Sequence, residues 1–438
     1  MPPVRPVALP GSRVTLPWLV RTCLVLSVFA SFAQYAVSYG FASILPLAGI
    51  AACGLLVLSG PRRADRLQHI LSGGSLMFAG MLFSEVVSYT SHDHYSLLYG
   101  LVFMGLFLSA RLIVQEIGVA NIVRAYSAAG LMTVVLILLL GRRTLFNLSS
   151  RYSGGTRAHP NLLGFVMAGF FPLLAWRALE ERVTWKKWVW IAVSAADLVI
   201  LFMSGSRGSL GALLGSVVLL MLRGVTSGAL RRFRISHFRL VLFVLLGPLA
   251  IVFLLRHNRI GHIGDFLIGF LSLESSQRGI GSGLSGRTST WKFALALLRS
   301  RSRWLFGFGY RTGTYLTIDD GYIELLFENG LIAGGLIFAA FLRIFFLTWR
   351  NSSFRVNTPW NRFYLLLWAI MPVYFLNNIS ARFLFGFGNP FSLFVLMLAV
   401  ASHQELVGSG RRARTTVKPA PGRGRPPALP ASPVRRAI

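Results

Sequence analysis

Residues 161–220 read NLLGFVMAGFFPLLAWRALEERVTWKKWVWIAVSAADLVILFMSGSRGSLGALLGSVVLL. They contain three apolar runs, each close to the roughly twenty residues with which an α-helix crosses a lipid bilayer. The first polar connection is basic, around Arg182, Lys186 and Lys187, and the second is a tight Gly/Ser turn that carries Arg207. This pattern predicts three consecutive transmembrane helices joined by short loops.

The rest of the chain continues the same pattern on both sides. Of its 438 residues, 54% are hydrophobic and only 13% are charged, whereas about a quarter of an average soluble domain is charged. We therefore predict an all-α, polytopic membrane protein with about twelve transmembrane helices. Their predicted spans are 18–39, 41–60, 68–90, 95–114, 118–140, 161–178, 187–204, 209–223, 239–255, 321–347, 362–380 and 389–403.

The basic residues determine the predicted orientation. With an even number of helices, both termini and the basic clusters near 62–66, 182–187, 231–234 and 350–362 share one side, which the positive-inside rule makes the cytoplasm. The net charge of +30 is spread over these loops, which argues against a nucleic-acid partner.

Three regions divide the chain. Segments 1–16 and 404–438 are rich in Pro and Arg and have little to bury, so we predict disordered cytoplasmic tails on either side of a transmembrane domain at 17–403. Membrane lipids are expected partners, since basic residues attract anionic headgroups. Within the domain, residues 256–320 form a predicted extracytoplasmic loop between helices nine and ten. Its stretches 260–273 and 290–305 mix apolar residues with a few charges and are predicted interfacial helices.

Several cations are predicted to lie at the outer boundary of the membrane. Arg157 and His159 come just before the helix predicted from 161, whose exposed N–H groups favour a phosphate. Arg207 sits among small residues, and Arg287 precedes an interfacial stretch with Arg278 upstream. Arginine grips phosphate oxygens in pairs, so these residues predict an anionic headgroup ligand. Snorkelling side chains and an ordinary helix start are the alternatives.

Acidic residues gather at the start of the tenth predicted helix. Asp319 and Asp320 are followed by Glu324 and Glu328, and the spacing of four puts the acids on one helical face. Carboxylates in a membrane helix are costly and therefore functional by default, unless they neutralise buried arginines. Asp197, in the middle of another helix, is expected to pair with a polar group.

No metal site or cofactor is predicted. Cys23 and Cys53 lie in apolar segments, and the pair His92 and His94 has no further obvious ligand nearby. The sequence contains no P-loop, which excludes ATP-driven transport by this chain.

Taken in order, these pieces resemble the O-antigen ligase and polysaccharide polymerase superfamily, in its ligase-like exopolysaccharide polymerase branch. The resemblance covers roughly residues 151–335. It rests on His-Pro-Asn at 159–161, Ser-Arg-Gly at 206–208, Gly-Arg-Thr at 286–288 with Trp291, Gly-Phe-Gly at 307–309 and Asp-Gly-Tyr-Ile-Glu-Leu-Leu-Phe-Glu-Asn-Gly-Leu at 320–331. Such proteins have about twelve helices and a large outer loop between the ninth and the tenth.

The resemblance implies a metal-independent polymerase of the bacterial cytoplasmic membrane. It would transfer glycan from an undecaprenyl-diphosphate carrier to a sugar hydroxyl of another lipid-linked repeat unit, at the outer face. Asp319 and Asp320 stand where the ligase branch has a His-Asn pair, and by resemblance one of them is the base, oriented by Glu324. The residues expected to bind the lipid-linked oligosaccharide are Arg207, Arg287, Arg278, Arg157, His159, Arg311 and Tyr322. Other proteins of polysaccharide assembly are candidate partners.

Three alternatives stay open. The first is ligase-like transfer to a different acceptor, since Asp can serve as a base as His does. The second is a secondary transporter, although many of those have two similar halves joined by a long central cytoplasmic loop, and here the long loop is late and external. The third is a flippase, or an inactive subunit of a cell-wall machine.

Overall fold

The computed structural model describes residues 16–37, 44–59, 94–142, 152–153, 159–226, 287–309, 318, 320–353, 359–379, 394–395 and 397–398. These ranges contain helices and short connections but no strand. The helices are α1 (Leu16–Val37), α2 (Ile44–Leu58), α3 (His94–Gly141), α4 (Pro160–Glu180), α5 (Thr184–Ser204), α6 (Arg207–Thr226), α7 (Arg287–Leu297), α8 (Arg301–Phe306), α9 (Gly321–Asn351) and α10 (Pro359–Asn377).

Five helices in this part of the chain are long and apolar enough to cross a membrane: Gly105–Gly141, Pro160–Glu180, Thr184–Ser204, Arg207–Thr226 and Gly321–Asn351. They confirm the prediction of an all-helical membrane protein. The predicted helices at 68–90 and 239–255 and the interfacial stretch at 260–273 lie outside the described residues. Of the last predicted span, 389–403, four residues are described and all are helical.

Helix α4 is the centre of the bundle. Every residue from Leu163 to Leu174 is buried, as expected of a helix that is apolar on all sides and has neighbours all round. It packs against α3, α5, α6 and α10. Small residues permit the closest crossings, since a Cβ on Gly164 would lie 2.3 Å from the Cβ of Ser206 and one on Gly130 would lie 2.8 Å from the Phe170 ring.

Helices α4, α6 and α9 begin at one end of the bundle, and α5 and α10 finish there. We call this the junction end and define it by His159, Ser206, Asp320 and Asn377. Its connections are Ser209 Oγ to Asn377 Oδ1 at 3.2 Å and Gly321 N to Asn378 O at 2.9 Å. Because α4, α5, α6, α9 and α10 run the length of the bundle, their other termini form an opposite end.

We call that opposite end the basic end and define it by Arg177, Arg182, Lys186, Arg223 and Arg350. Arg223 Nε donates to Ser352 O at 2.9 Å, which ties the end of α6 to the end of α9. Ser353 N donates to Asn361 Oδ1 at 2.6 Å, which ties α9 to the start of α10. Two basic clusters expected on one side of the membrane, at 182–187 and 350–362, therefore lie at the same end of the described bundle.

Two elements differ from the sequence prediction. The stretch 290–305 forms two short helices, α7 and α8, because the Ser300 side chain accepts from Arg303 N and begins a new helix. Helix α9 starts at the predicted residue, but its backbone leaves helical geometry at Gly330, with φ 63° and ψ −174°. Only residues 331–351 then form a continuous helix of the roughly twenty residues that a span requires.

Candidate functional site

Asp320 begins α9 and is its N-cap. Its Oδ1 accepts hydrogen bonds from the backbone N–H groups of Tyr322 and Ile323, each at 2.9 Å. These two bonds satisfy donors that the first turn of a helix leaves without partners. Within the described part of the chain both hydrogen bonds of the carboxylate fall on Oδ1, so Oδ2 faces its surroundings without one.

Arg287, the first residue of α7, lies close to this carboxylate. Burial raises the pKa of Asp320, while the two N–H bonds and the positive charge of Arg287 pull that pKa back down. The side chain is buried, with 6% of its surface exposed. A buried carboxyl whose pKa lies above the ordinary aspartate value, next to an arginine, is typical of functional sites.

The first turns of α6 and α9 are both connected to the end of α10. Both starts are held by adjacent residues at the end of α10, since Ser209 donates to Asn377 and Gly321 donates to Asn378. Tyr322 adds a bond from its hydroxyl to Phe375 O at 2.9 Å. These bonds place the starts of α6 and α9, with Arg207 and Asp320, at the same end of the bundle.

The start of α4 lies at this end as well. His159 is the N-cap of α4, and its Nδ1 accepts from Asn161 N at 3.2 Å, which leaves Nε2 as the protonated nitrogen of the neutral ring. The ring is exposed. Gly164, one turn inside α4, lies against Ser206, the residue before Arg207. His159 therefore caps a helix, which is the alternative that the sequence left open for it.

The acidic residues of α9 all precede its break. Asp320, Glu324 and Glu328 are 6%, 8% and 4% exposed and lie on the segment 320–329. The sequence suggested acids running down a membrane helix, and the break at Gly330 corrects this, because the long continuous helix begins only afterwards. These three acidic residues therefore lie in a short helical segment that precedes the continuous span.

The Gly-Phe-Gly sequence at 307–309 explains how the break is stabilised. Phe308 N donates to Phe327 O at 2.9 Å and Gly309 N donates to Glu328 O at 2.8 Å, so this segment supplies donors to carbonyls next to the break. Gly307 and Gly330 have positive φ, and a Cβ on either would lie 2.4 Å from a backbone oxygen of the other segment. Sequence reasoning gave this motif no function. The one sequence feature that could have predicted the break is Gly330, a glycine that follows Asn329 inside an apolar helix.

The aromatic residues extend this contact. Phe308 stacks on Phe327, with ring centroids 4.5 Å apart and an angle of 14° between the planes, and the Arg303 guanidinium lies 4.5 Å from the Phe308 centroid. A small core of Ala294, Leu298, Ile318 and Phe327 joins α7 to the acidic segment of α9. This packing positions α7, which begins with Arg287, against the acidic segment that begins at Asp320.

Two arginines at the junction end lie where the helix dipole is unfavourable for a positive charge. Arg207 and Arg287 are the first residues of α6 and α7, and neither helix has an acidic residue in its first turn. A helix N-terminus carries about half a positive charge, so a cation placed there is unfavourable by itself. An anion bound between the N-termini and the arginines would remove this conflict.

Other predicted site residues fall elsewhere. Asp319, Arg157, Arg278 and Arg311 lie outside the described residues. Asp197 is away from the junction end and fully buried, and among the described residues neither of its carboxylate oxygens has a hydrogen-bond partner, so the expected pairing with a polar group is not found there. A search of the described ranges finds no group of three or more His, Cys, Asp or Glu side chains placed to hold a metal ion.

No protein-family model matches this chain, and no curated protein is significantly similar to it in sequence.

Proposed function

We propose that this protein transfers glycan from a lipid-linked diphosphate to a sugar hydroxyl of another lipid-linked repeat unit, and is thus a polysaccharide polymerase. The observation that carries the proposal is the junction end itself. Arg207 and Arg287 are the first residues of their helices, where a bound anion would be favourable, and the positive charge of Arg287 acts on the buried Asp320. A diphosphate leaving group and a hydroxyl that must lose its proton match these two kinds of residue.

In the proposed reaction the acceptor hydroxyl oxygen attacks the anomeric carbon of the donor sugar. The bond from that carbon to the diphosphate oxygen breaks, and its electron pair stays on the diphosphate. Arg207 and Arg287 stabilise the charge that develops there, because guanidinium groups stay protonated and bind phosphate oxygens in pairs. The hydroxyl proton passes to a carboxylate. A single displacement of this kind inverts the anomeric configuration.

Asp320 and Asp319 are the candidates for the base. Oδ1 of Asp320 accepts two backbone bonds, so Oδ2 is the atom that would take the proton. Glu324, one turn later on the same buried face, is suited to orient the acceptor or the aspartate. Substitution of Asp320 by Asn keeps an N-cap while removing the base, which makes it a sharp test.

We infer that the site faces outwards. Arg177, Arg223 and Arg350 all lie in last turns at the opposite end, and a surplus of Arg and Lys marks the cytoplasmic side. Exposed Trp185 and Trp188 next to Lys186 and Lys187 are typical of that membrane boundary. The proposal keeps the topology of about twelve spans, both termini in the cytoplasm, and an extracytoplasmic loop at 256–320 in a bacterial cytoplasmic membrane.

The reaction should depend on pH through Asp320. Burial raises the pKa of this carboxyl, so acidification protonates the base and lowers the rate at a higher pH than an ordinary aspartate would. The effect on folding has the opposite slope. The folded protein binds this proton more tightly than the unfolded chain does, so the stabilisation is present below the unfolded-state pKa and is lost as pH rises through the folded-state pKa.

Purified protein in proteoliposomes, supplied with radiolabelled lipid-linked repeat units, tests the proposal. We expect products that lengthen with time, and a loss of about 10²-fold or more in rate for either Asp320→Asn or Asp319→Asn. Full rates in both variants would exclude an aspartate base. Transfer only to a non-identical acceptor would instead indicate ligation.

A transporter is the second candidate, because α9 is interrupted at Gly330 and broken helices often line transport sites. The same proteoliposomes separate the two functions. Radiolabel that crosses the membrane without any lengthening of the glycan would identify a transporter or flippase.

A further inference from the structure

Helices α7 and α8 have one face that packs inwards and another that does not. Ala294 and Leu298 are fully buried against the acidic segment of α9. Phe293 and Leu297, four residues apart and therefore on one side of α7, are 55% and 40% exposed, and Trp304 on α8 is 40% exposed. Large apolar side chains on the outward faces of two consecutive short helices mark an interaction surface.

The charge of this segment identifies the partner. Residues 287–309 contain Arg287, Lys292, Arg299, Arg301 and Arg303 and no Asp or Glu. Lys292, Arg299 and Arg301 are exposed beside the apolar side chains. A cationic helix with aromatic and aliphatic residues on its outward face is suited to a membrane surface that carries negative charge.

The surface is also continuous with the part of the molecule that contacts lipid tails. Leu331 and Ile332, the first residues after the break in α9, are 51% and 38% exposed at the start of the continuous span. Gly330 touches the end of α8, since a Cβ on it would lie 2.4 Å from Leu305 O. The outward face of α7 and α8 therefore lies at the depth where the span enters the headgroup layer.

We propose that α7 and α8 form a docking surface for anionic phospholipid, with Phe293, Leu297 and Trp304 inserted among the lipids and Lys292, Arg299 and Arg301 bound to their phosphates. The surface holds the neighbouring Arg287 and Asp320 at the level of the lipid headgroups. This inference requires only that the protein is embedded in a membrane and does not depend on the proposed reaction.

Site-directed spin labelling of the full-length protein tests it. Cys23 and Cys53 are the only cysteines and are replaced by Ala; nitroxides are then attached in separate variants at Phe293→Cys, at Trp304→Cys and, as the matched control, at exposed Ser302→Cys. Each is placed in nanodiscs of phosphatidylcholine with or without phosphatidylglycerol. Collision with oxygen, which prefers lipid, is compared with collision with a water-soluble nickel complex.

We expect the oxygen-to-nickel ratio at 293 and 304 to exceed that at 302 several-fold and to rise further when phosphatidylglycerol is present. The triple variant K292Q/R299Q/R301Q should lose that rise while keeping its elution profile and helix content. Labels at 293 and 304 as open to nickel as the one at 302 would overturn membrane docking. A high ratio that responds neither to phosphatidylglycerol nor to the triple variant would overturn the role of anionic lipid. The two label positions are independent, so a variant that fails to fold leaves the other to decide.

Discussion

Arginines at the two ends of the bundle lie at opposite ends of their helices, so the helix dipole favours one group and disfavours the other. At the basic end, Arg177, Arg223 and Arg350 lie in last turns, where the helix dipole favours a cation. At the junction end, Arg207 and Arg287 are the first residues of their helices, where the dipole disfavours one. Helix α6 carries both kinds, since Arg207 begins it and Arg223 is in its last turn. The basic-end arginines are placed to stabilise the fold, whereas under the proposed function those at the junction end bind an anion.

The contacts of the two ends agree with this contrast. Arg223 is bound by both Ser352 oxygens, and its guanidinium lies 4.8 Å from the Trp349 ring centroid. Arg177 contacts Glu180 and Glu181, each at 3.6 Å, and lies over Trp190. The junction end instead places Arg287 beside a buried aspartate with a raised pKa. Conflict with a local rule is more often found at functional sites than in the supporting scaffold.

The largest expected effect is on activity. Arg207→Gln and Arg287→Gln should each lower the rate of glycan transfer by about 10²-fold to 10³-fold, as loss of one electrostatic stabiliser does elsewhere. Arg→Lys at either position should recover only part of the rate, because an ammonium group cannot grip two phosphate oxygens in a fixed plane. The readout is lengthening of labelled repeat units in proteoliposomes. An equal loss of transfer rate in the basic-end variant Arg177→Gln would contradict the proposed difference between the two ends.

The next effect is on stability at the basic end. Arg223→Gln removes charged hydrogen bonds to Ser352 and a cation–π contact, and should cost about 2 kcal/mol of unfolding free energy. Thermal unfolding of the detergent-purified protein gives the measurement. The rate of glycan transfer per folded molecule should stay at the wild-type value. A variant that is stable but inactive would contradict a purely structural role for the basic end.

Two variants of Asp320 separate its structural and chemical roles. Asp320→Ala removes the N-cap of α9 and should cost about 1 kcal/mol, whereas Asp320→Asn retains the cap and should keep nearly wild-type stability. Both should lose activity. Stability is measured by the same unfolding assay, and an active Asp320→Asn protein would restrict this residue to capping.

The smallest expected effects are two changes in unfolding free energy that have opposite signs. Arg207→Glu places an acid at the start of α6 and should raise stability by about 0.5 kcal/mol, while Arg350→Glu places one at the end of α9 and should lower it by a similar amount. The difference in melting temperature between the two variants is the quantity to compare. The Arg207 variant should be inactive, as expected when a site is built at the expense of local stability.

The sequence predicted the spans well because bilayer thickness sets their length. The predicted spans 161–178, 187–204 and 209–223 match α4, α5 and α6 within a few residues. Helix α3 also breaks where the sequence separates two spans, at Gly118 with φ 71°. The start of α9 at 321 follows from Asp320, a residue that favours N-caps. The candidate cations and acids stand out in the sequence because charge is rare at the ends of apolar runs, and their role in binding or catalysis stays a prediction.

Features that depend on distant contacts were missed. An apolar window cannot detect the break at Gly330, because the hydrogen bonds that stabilise it come from Phe308 and Gly309 in another segment. The division of 290–305 was overlooked because the capping serine at 300 lies inside an amphipathic pattern. The absence of a hydrogen-bond partner for Asp197 among the described residues was also not predictable, since pairing depends on which side chains of other helices face it.

The break at Gly330 divides α9 into two parts that should respond differently to changes in the bilayer. Residues 331–351 are exposed to the tension and thickness of the bilayer and can tilt as these change. The acidic segment that precedes them is hydrogen-bonded to residues 307–309 and packs on α7, so it belongs to a different rigid unit. A membrane that thins or stretches should therefore reorient the span while the spacing of Arg287 and Asp320 stays constant.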